Sequence, residues 1–159
     1  MKIDRTDKRI LNYLQQHGRA SILEVADAVG LSATPCARRV KQLESSGIIR
    51  GHMALLDEQK LGLTLTALIS ISMDRHTPDR FEKFEEAIQR FDEIVECNLI
   101  TGQSADYLVK AVLPDMAHYE AFLLGKLTKI EGVTGVHSSF ILRKVKANHP
   151  LPLEQLNSD

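Results

Sequence analysis

The sequence predicts an α+β protein built from two modules, and three observations predict this class. The first 56 residues space their apolar side chains as helices do, with short glycine-containing turns between them. Residues 64–147 alternate strand-like and helix-like stretches in the order β-α-β-β-α-β. The charge divides along the same line, because residues 1–52 hold nine Lys and Arg against five Asp and Glu, whereas the remainder carries a net −5. We therefore divide the chain into a module at 1–56, a linker at 57–63, a module at 64–147 and a tail at 148–159, which has little to fold it.

The overall composition is that of a globular protein. Of 159 residues, 43% are hydrophobic and 26% are charged, which excludes a disordered chain. No run of about 18 apolar residues is present, so we expect no membrane span. The charged N-terminal stretch predicts no secretory signal. Because Cys36 and Cys97 stand far apart in the sequence, we expect a reducing, cytoplasmic setting. Because no histidine falls in metal-ligand spacing, we expect no metal site.

The first module is predicted to contain three helices, with a helix-turn-helix at about residues 22–41. An S-x-x-E capping box at Ser21 begins a short second helix that ends at Gly30. The third helix follows Ser32 and ends before Gly47. Two short helices joined this closely form a helix-turn-helix motif. The positions expected to face the core are Ile10, Leu11 and Leu14 in the first helix, Leu23, Ala26 and Val29 in the second, and Cys36, Val40 and Leu43 in the third.

The outward side of the third helix predicts contact with DNA. An exposed helix start with Ser, Thr and Arg can enter a major groove, where Arg pairs with guanine. Residues 48–52 and 53–56 are predicted to form two short strands, a wing whose Arg50 is placed for phosphate. A merely solvated basic face is the alternative interpretation. The candidate DNA-binding residues are Ser32, Thr34, Pro35, Arg38, Arg39, Lys41, Gln42 and Arg50.

The second module is predicted to be a ferredoxin-like βαββαβ unit. Both helices should cover one face of a four-stranded antiparallel sheet. The other face, with apolar positions such as Leu68 and Val109, has no cover of its own, which favours self-association. The predicted strands are 65–73, 94–100, 107–112 and 133–145, the last in two stretches, and the predicted helices are 78–91 and 115–128.

At these residues the sequence resembles a known family. The stretch from Asp4 to Leu56 is similar to the winged helix-turn-helix of the Lrp/AsnC (feast/famine) transcriptional regulators. The second module resembles the family's effector-binding, RAM-type domain. The strings that carry the resemblance are Val29-Gly30-Leu31-Ser32, Thr34-Pro35-Cys36, Arg38-Arg39-Val40, Gly47-Ile48-Ile49, Glu96-Cys97, Asp106-Tyr107 and Pro114-Asp115-Met116. The T-P-C and P-D-M strings indicate the leucine-responsive branch.

The resemblance implies a sequence-specific transcriptional regulator that is not an enzyme and needs no cofactor. Its implied partners are double-stranded DNA, further copies of itself as dimers and an octamer of four dimers, and a small amino acid bound between dimers, with leucine or methionine favoured. It implies a cytoplasmic, nucleoid-associated protein and no membrane partner. Two alternatives stay open: a tetrapyrrole decarboxylase-like enzyme on the same scaffold, and an architectural protein that condenses DNA.

The turn before the third predicted strand is the candidate effector site. Gly102 permits close backbone approach by a carboxylate, and Asp106 can accept hydrogen bonds from an α-ammonium group. Met116 would favour an aliphatic side chain. The family's usual string is Gly-Asp-aromatic-Asp-Tyr, and here the loop is one residue longer and lacks the first acid and the aromatic residue. A plain hairpin loop is the alternative. The candidate effector-binding residues are Thr101, Gly102, Gln103, Ser104, Ala105, Asp106 and Met116, joined by Ser138 and Ser139 through the resemblance.

Overall fold

The computed structural model describes residues 2–102 and 104–156, and these residues divide into two compact units. The first unit combines residues 2–55 with residues 146–156, and the second comprises residues 56–145. The first unit is therefore assembled from two stretches of chain that are far apart in sequence.

Three helices form the first unit: α1 (Arg5–Gln16), α2 (Ile22–Val29) and α3 (Ala33–Ser45). The predicted capping box at the start of α2 is confirmed, because Ser21 and Glu24 bond each other's backbone N–H groups. A second, unpredicted box at Asp4 and Asp7 caps α1 in the same way. Gly30 ends α2 with φ +68°, a conformation that glycine adopts without strain.

The apolar core of the first unit confirms the predicted stripe of α3 and corrects that of α2. Cys36, Val40 and Leu43 are all buried. In α2 the buried residues are Val25, Ala26 and Val29, whereas Leu23 is 70% exposed. The prediction of Leu23 was wrong because Val25 also has helical spacing to Val29, and one short helix allows both choices of stripe.

The wing strands that we expected are absent from the described part of the chain. Residues 48–56 belong to no helix or sheet, although Ile49 donates a backbone hydrogen bond to Leu43 at 3.1 Å. Met53 and Leu55 are 87% and 70% exposed. The β-forming residues therefore produce no hairpin, because among the described residues this unit contains no neighbouring strand to exchange hydrogen bonds with them.

The expectation that the tail has little to fold it was also wrong. Leu153 packs against the core cluster of the first unit, and residues Leu153–Gln155 form a turn of 3-10 helix. Two side chains of α1, Lys8 and Gln15, bond the backbone of this segment. Of the three leucines in the described part of the tail, Leu153 therefore packs on the first unit, whereas Leu151 and Leu156 are 69% and 45% exposed.

The second unit has the predicted βαββαβ order. Its sheet is antiparallel with strand order β2-β3-β1-β4. Residues 141–145, predicted to extend the last strand, lie outside it, and both helices end earlier than predicted. The elements are β1 (Leu65–Met73), α4 (Pro78–Ile88), β2 (Ile94–Leu99), β3 (Tyr107–Leu113), α5 (Met116–Gly125), a 3-10 turn (Leu127–Lys129) and β4 (Val133–Phe140).

The core of the second unit lies between one face of the sheet and the two helices. Phe84 and Ile88 of α4 and Phe122 of α5 pack there against β1 and β3. Val109, which we predicted on the uncovered face, is fully buried in this core. It pairs with Ile69, whereas Leu68 pairs with Lys110, so Val109 and Leu68 lie on opposite faces.

The uncovered face is more polar than we expected. Its side chains alternate with those of the core along each strand. Of the two central strands, β1 contributes mainly small polar groups and β3 contributes two apolar side chains and a lysine. The face is formed by Thr66, Leu68, Ser70, Ser72, Glu96, Asn98, Leu108, Lys110, Val112, His137 and Ser139. The face is therefore mixed, with Leu68, Leu108 and Val112 among its polar side chains.

The predicted linker forms an ordered turn within the second unit. Leu61 and Leu63 donate backbone hydrogen bonds to Glu58, and Asp57 accepts one from the Lys60 N–H at 3.1 Å. Lys144 forms an ion pair with Glu58. The turn is thus attached to the segment that follows β4.

Candidate DNA-binding surface and effector site

The outward face of α3 carries most of the predicted DNA-binding side chains. At 3.6 residues per turn, Thr34, Arg38 and Lys41 fall within about 60° of one another around the helix axis. They lie opposite the buried stripe of Cys36, Val40 and Leu43 and are exposed. Burial of that stripe therefore orients the polar face towards solvent.

The cations on this face have no partner within the unit. Among residues 2–102 and 104–156, Arg38, Lys41 and Arg50 make no hydrogen bond or ion pair, and all three are exposed. Gln42 is exposed beside Lys41, and Pro35 is half-buried in the first turn. Unpaired cations can neutralise phosphates or donate to base edges without first breaking an internal contact.

Ser32 stands at the N-cap of α3 but does not cap the helix with its side chain. No side-chain bond is made to the first-turn N–H groups, and Ser32 is exposed. Its hydroxyl and the free N–H groups of the helix start are therefore available to an anion such as a DNA phosphate.

Arg39 differs from its neighbour Arg38 because it is held inside the unit. Its Nη1 donates to Asp4 at 2.7 Å and to Asp7 at 2.8 Å. The hydrogen bonds to Asp7 and Asp4 raise the pKa of Arg39. Arg39 thus ties α3 to the start of α1, although we predicted it among the DNA-contacting residues.

The candidate effector loop closes between β2 and β3 through backbone hydrogen bonds. Ile100 donates to the Asp106 carbonyl at 2.8 Å, and Asp106 donates to the Ile71 carbonyl at 2.8 Å. Gly102 has φ +91°, and Thr101, Gly102 and Ser104 are exposed. Ala105 is buried, and Gln103 lies outside the described residues.

The carboxylate of Asp106 already has two internal partners. Its Oδ2 accepts the Met73 N–H at 2.7 Å, and its Oδ1 lies 2.8 Å from His76 Nε2. The Asp106 side chain is 17% exposed, whereas that of His76 is 69% exposed. An incoming ammonium group must therefore share Asp106 with His76 or displace it.

The other predicted effector residues do not meet this loop within one chain. The loop precedes β3, whereas Met116 begins α5 after the end of β3. Seven residues of antiparallel strand separate them by about 20 Å. Met116 is 52% exposed rather than part of the helix core. Within a single chain, Met116 therefore does not lie beside the loop, and its predicted contact with the effector stays a prediction for the assembly.

The two serines of β4 lie on opposite faces of the sheet. Ser138 pairs with Ile69 on the helix side, and its hydroxyl bonds that of Tyr119. Ser139 pairs with Leu68 on the uncovered face. Because strand neighbours point to opposite faces, these two side chains cannot line one cavity of a single chain.

The aromatic residue that follows Asp106 anchors the loop to the core. Tyr107 is 1% exposed and donates its hydroxyl hydrogen to Glu85 Oε1 at 2.8 Å. Burial, and then this bond to Glu85, raises the pKa of Tyr107.

Burial also raises the pKa of Cys97 to about 11, and that of Cys36 above its ordinary value, so both thiols stay protonated. Among the described residues, no group of three or more His, Cys, Asp or Glu is placed to hold a metal ion.

Sequence reasoning missed three groups that shape these surfaces. Asp4 and Asp7 had a usable signal, since an acid at the N-cap and another three residues later is a helix-start pattern. No sequence pattern points to His76, because its pairing with Asp106 depends on the fold. No sequence pattern points to the hydrogen bonds between Gln15 and the tail either. Within the described ranges, no helix is long and apolar enough to cross a membrane.

Comparison with known proteins identifies the class of molecule. Residues 3–50 match the family model for winged helix-turn-helix DNA-binding domains, and residues 66–151 match that for the Lrp/AsnC ligand binding domain. A regulator from Neisseria meningitidis, solved in complex with L-methionine, is 39% identical with a TM-score of 0.90, covering 96% of this chain and 97% of that one. An AsnC family regulator from Agrobacterium tumefaciens is 37% identical with a TM-score of 0.90, covering 97% and 99%. The molecule is thus a DNA-binding transcriptional regulator with an amino-acid-binding domain.

The leucine-responsive regulatory protein of Escherichia coli K12 is 40% identical over 152 residues, which cover 96% of this chain and 92% of that protein. The chain belongs to the Lrp/AsnC family. The resemblance drawn from T-P-C and P-D-M to the leucine-responsive branch is confirmed, and the tetrapyrrole-enzyme alternative is set aside because this is a family of transcriptional regulators.

Proposed function

We propose that this regulator recognises specific DNA sequences as a homo-oligomer and changes its DNA binding or assembly when it binds methionine or leucine. The observation that carries the proposal is the outward face of α3, where Thr34, Arg38 and Lys41 are exposed and the two cations have no intramolecular partner among the described residues. Ser32, Gln42 and Arg50 extend this surface towards the phosphate backbone. Such a regulator works on the nucleoid, in the cytoplasm.

Methionine is the first candidate effector. The Neisseria meningitidis relative was solved with L-methionine, and the curated relatives are named for leucine. Both ligands have an unbranched or γ-branched apolar side chain beside α-ammonium and α-carboxylate groups. In our proposal Asp106 accepts the ammonium, and N–H groups around Gly102 receive the carboxylate.

The effector site is completed by a second copy of the chain. The loop precedes β3 and Met116 follows it, so the two lie at opposite ends of the strand and can line one cleft only when they come from different copies. This arrangement supports binding between dimers, as the family resemblance implies. It also links ligand binding to assembly, because the ligand then binds one assembly state in preference to another.

Exposed apolar side chains outside the sheet face support self-association. Leu142 and Val145 follow β4 and are 99% and 86% exposed, and Leu56 is 71% exposed. Extended segments with unburied apolar side chains are typical of interfaces between copies. We propose dimers that assemble further, up to an octamer, since several tethered modules raise DNA affinity without a new contact.

The experiment selects DNA from a random duplex pool with the purified protein and then measures affinity for the selected duplex and for a scrambled duplex. Each measurement is repeated with methionine, leucine and asparagine, and light scattering reports the assembly. We expect a preferred sequence, and a change of affinity or mass with methionine or leucine.

Equal affinity for both duplexes at physiological salt would contradict sequence-specific regulation and favour the architectural alternative. A preferred sequence without any response to the amino acids would leave the DNA-binding part standing and contradict the proposed effector.

A further inference from the structure

The segment at residues 148–156, the docked segment, lies along one face of α1. Gln15 Nε2 donates to the Leu151 carbonyl at 3.3 Å, and the Leu151 N–H donates back to Gln15 Oε1 at 2.6 Å. At the other end, the Lys8 ammonium donates to the Leu156 carbonyl. Positions 8 and 15 are two helical turns apart on the same face, about 10 Å along the axis. The docked segment therefore runs antiparallel to α1 and is bonded to it at Leu151 and Leu156.

Burial supports this attachment independently of the hydrogen bonds. Lys8 is 9% exposed, and in the described part of the chain the Leu156 carbonyl is the hydrogen-bond acceptor of its ammonium. A buried charge without such a partner is costly, so the carbonyl accounts for the buried lysine. Leu153 packs against the core of the same unit.

Helix α1 in turn holds α3. Asp4 and Asp7 at the start of α1 bind Arg39 of α3, and Asp7 is adjacent to Lys8. Ile10 and Leu11 of α1 share one apolar cluster with the buried stripe of α3. A displacement of α1 therefore moves the partners that fix the orientation of α3.

We propose that the docked segment positions the outward face of α3: the segment holds α1 in place, and α1 holds α3 at the orientation required for base contacts. The proposal rests on the proposed DNA-binding function of α3. Gln15, Leu151 and Leu153 act as positioning residues, since they lie on the α1 side of the unit and outside the predicted set of DNA-contacting residues.

The expected signature is a loss of specificity rather than of binding in general. Contacts to phosphate tolerate small shifts because charge attraction changes slowly with distance, whereas bidentate contacts to bases need a defined geometry. Loosening of α1 should therefore reduce affinity for the preferred duplex and leave affinity for scrambled DNA nearly unchanged. A variant that is merely less folded loses both in the same proportion.

The test compares Gln15→Ala with Gln16→Ala, in full-length protein. Both residues are exposed glutamines at the end of α1, but among the described residues only Gln15 bonds the docked segment. We expect Gln15→Ala to lower affinity for the selected duplex about threefold, the size of a lost hydrogen-bonded pair, and Gln16→Ala to have no effect. Leu153→Ala should lower it about tenfold, because it also removes packing. Affinity for the scrambled duplex should stay within about twofold in each case.

Hydrogen exchange of the backbone amides, measured on the same proteins, reports whether α1 and α3 have loosened. We expect faster exchange of α1 and α3 amides in Gln15→Ala and Leu153→Ala, with the second unit unchanged. A parallel loss of affinity for both duplexes, or an unchanged ratio, would overturn the positioning role. Failure of the wild-type protein to prefer any duplex would instead overturn the proposed function.

Discussion

The outward face of α3 and the loop at 101–106 were both predicted as binding surfaces, but their polar groups are in different states. On α3, Arg38 and Lys41 have no intramolecular partner among the described residues. In the loop, the carboxylate of Asp106 is bonded by Met73 and His76. One surface can accept its ligand as it stands, and the other must exchange partners first.

The difference follows from the size and charge of the two ligands. DNA presents many phosphates to a surface, so a convex helix face with free cations suffices, and repetition across copies adds affinity. A single amino acid must be surrounded, and one chain places the loop and Met116 at opposite ends of β3. In our proposal, the DNA-binding surface therefore belongs to one chain, whereas the effector site needs two copies of the chain.

The largest effect is expected at α3. Arg38→Ala should lower affinity for the selected duplex about 10- to 100-fold and relax the base preference, because a bidentate contact to guanine discriminates by about 1–3 kcal/mol. Arg9→Ala, an exposed arginine of α1, serves as the control and should change little. Fluorescence anisotropy with selected and scrambled duplexes measures both quantities. Equal losses for the two variants would mean that α3 contributes charge alone.

The next largest effect is expected at the loop. Asp106→Asn keeps an acceptor oxygen for the Met73 N–H but removes the charge that would bind the ammonium group. Methionine affinity should fall at least about tenfold, as for other hydrogen bonds to charged groups, while DNA affinity without the effector stays the same. Calorimetric titration with methionine provides the measurement. An unchanged response would show that the effector site lies elsewhere.

A smaller effect, of a different kind, is expected at Arg39. Arg39→Gln leaves the buried carboxylate of Asp7 without its cationic partner, so the first unit should lose about 1 kcal/mol of stability, or about 5 °C in its melting temperature. The ratio of affinities for selected and scrambled DNA should fall less than in Arg38→Ala. Thermal unfolding followed by circular dichroism tests this. A larger loss of specificity than in Arg38→Ala would reverse our assignment of the two arginines.

The smallest effect is expected at His76. His76→Ala frees Oδ1 of Asp106, so methionine no longer competes with the imidazole and should bind about two- to fivefold more tightly, the worth of a modest hydrogen bond. His17→Ala, in the first unit, is the control for a histidine outside the loop. The same titration applies, and weaker binding by His76→Ala would indicate that the imidazole orients Asp106 for the ligand instead.

The secondary structure was largely predictable from the sequence because local signals agreed with one another. Helix α2 begins after Ser21 and ends at Gly30, as these residue types predict, and β1 covers the predicted range of residues 65–73. Errors arose where two choices satisfied the same pattern, as with Leu23 and Val25 in α2. Val109 was assigned to the wrong face because the pairing of two separate strands decides its orientation.

The site was less predictable, since its interactions join residues that are distant in sequence. Exposure of Arg38 follows from helical spacing alone, but the ion pairs of Arg39 depend on how α1 packs. The bond between Asp106 and His76 depends on the arrangement of β1 and β3. The docked segment shows the same limit, because the sequence of the tail does not indicate that Leu153 packs against the first unit.

The composition of the first unit from residues 2–55 and 146–156 has a consequence for the order of events during translation. Domains generally fold as units while the ribosome proceeds from the N-terminus. Here α3 emerges early, yet the segment bonded to α1 is made only after all of residues 56–145. In a nascent chain, the first unit therefore stays incomplete while the second unit is being made. A message broken before codon 148 yields a chain that retains every cation of α3 but lacks the part that completes the unit.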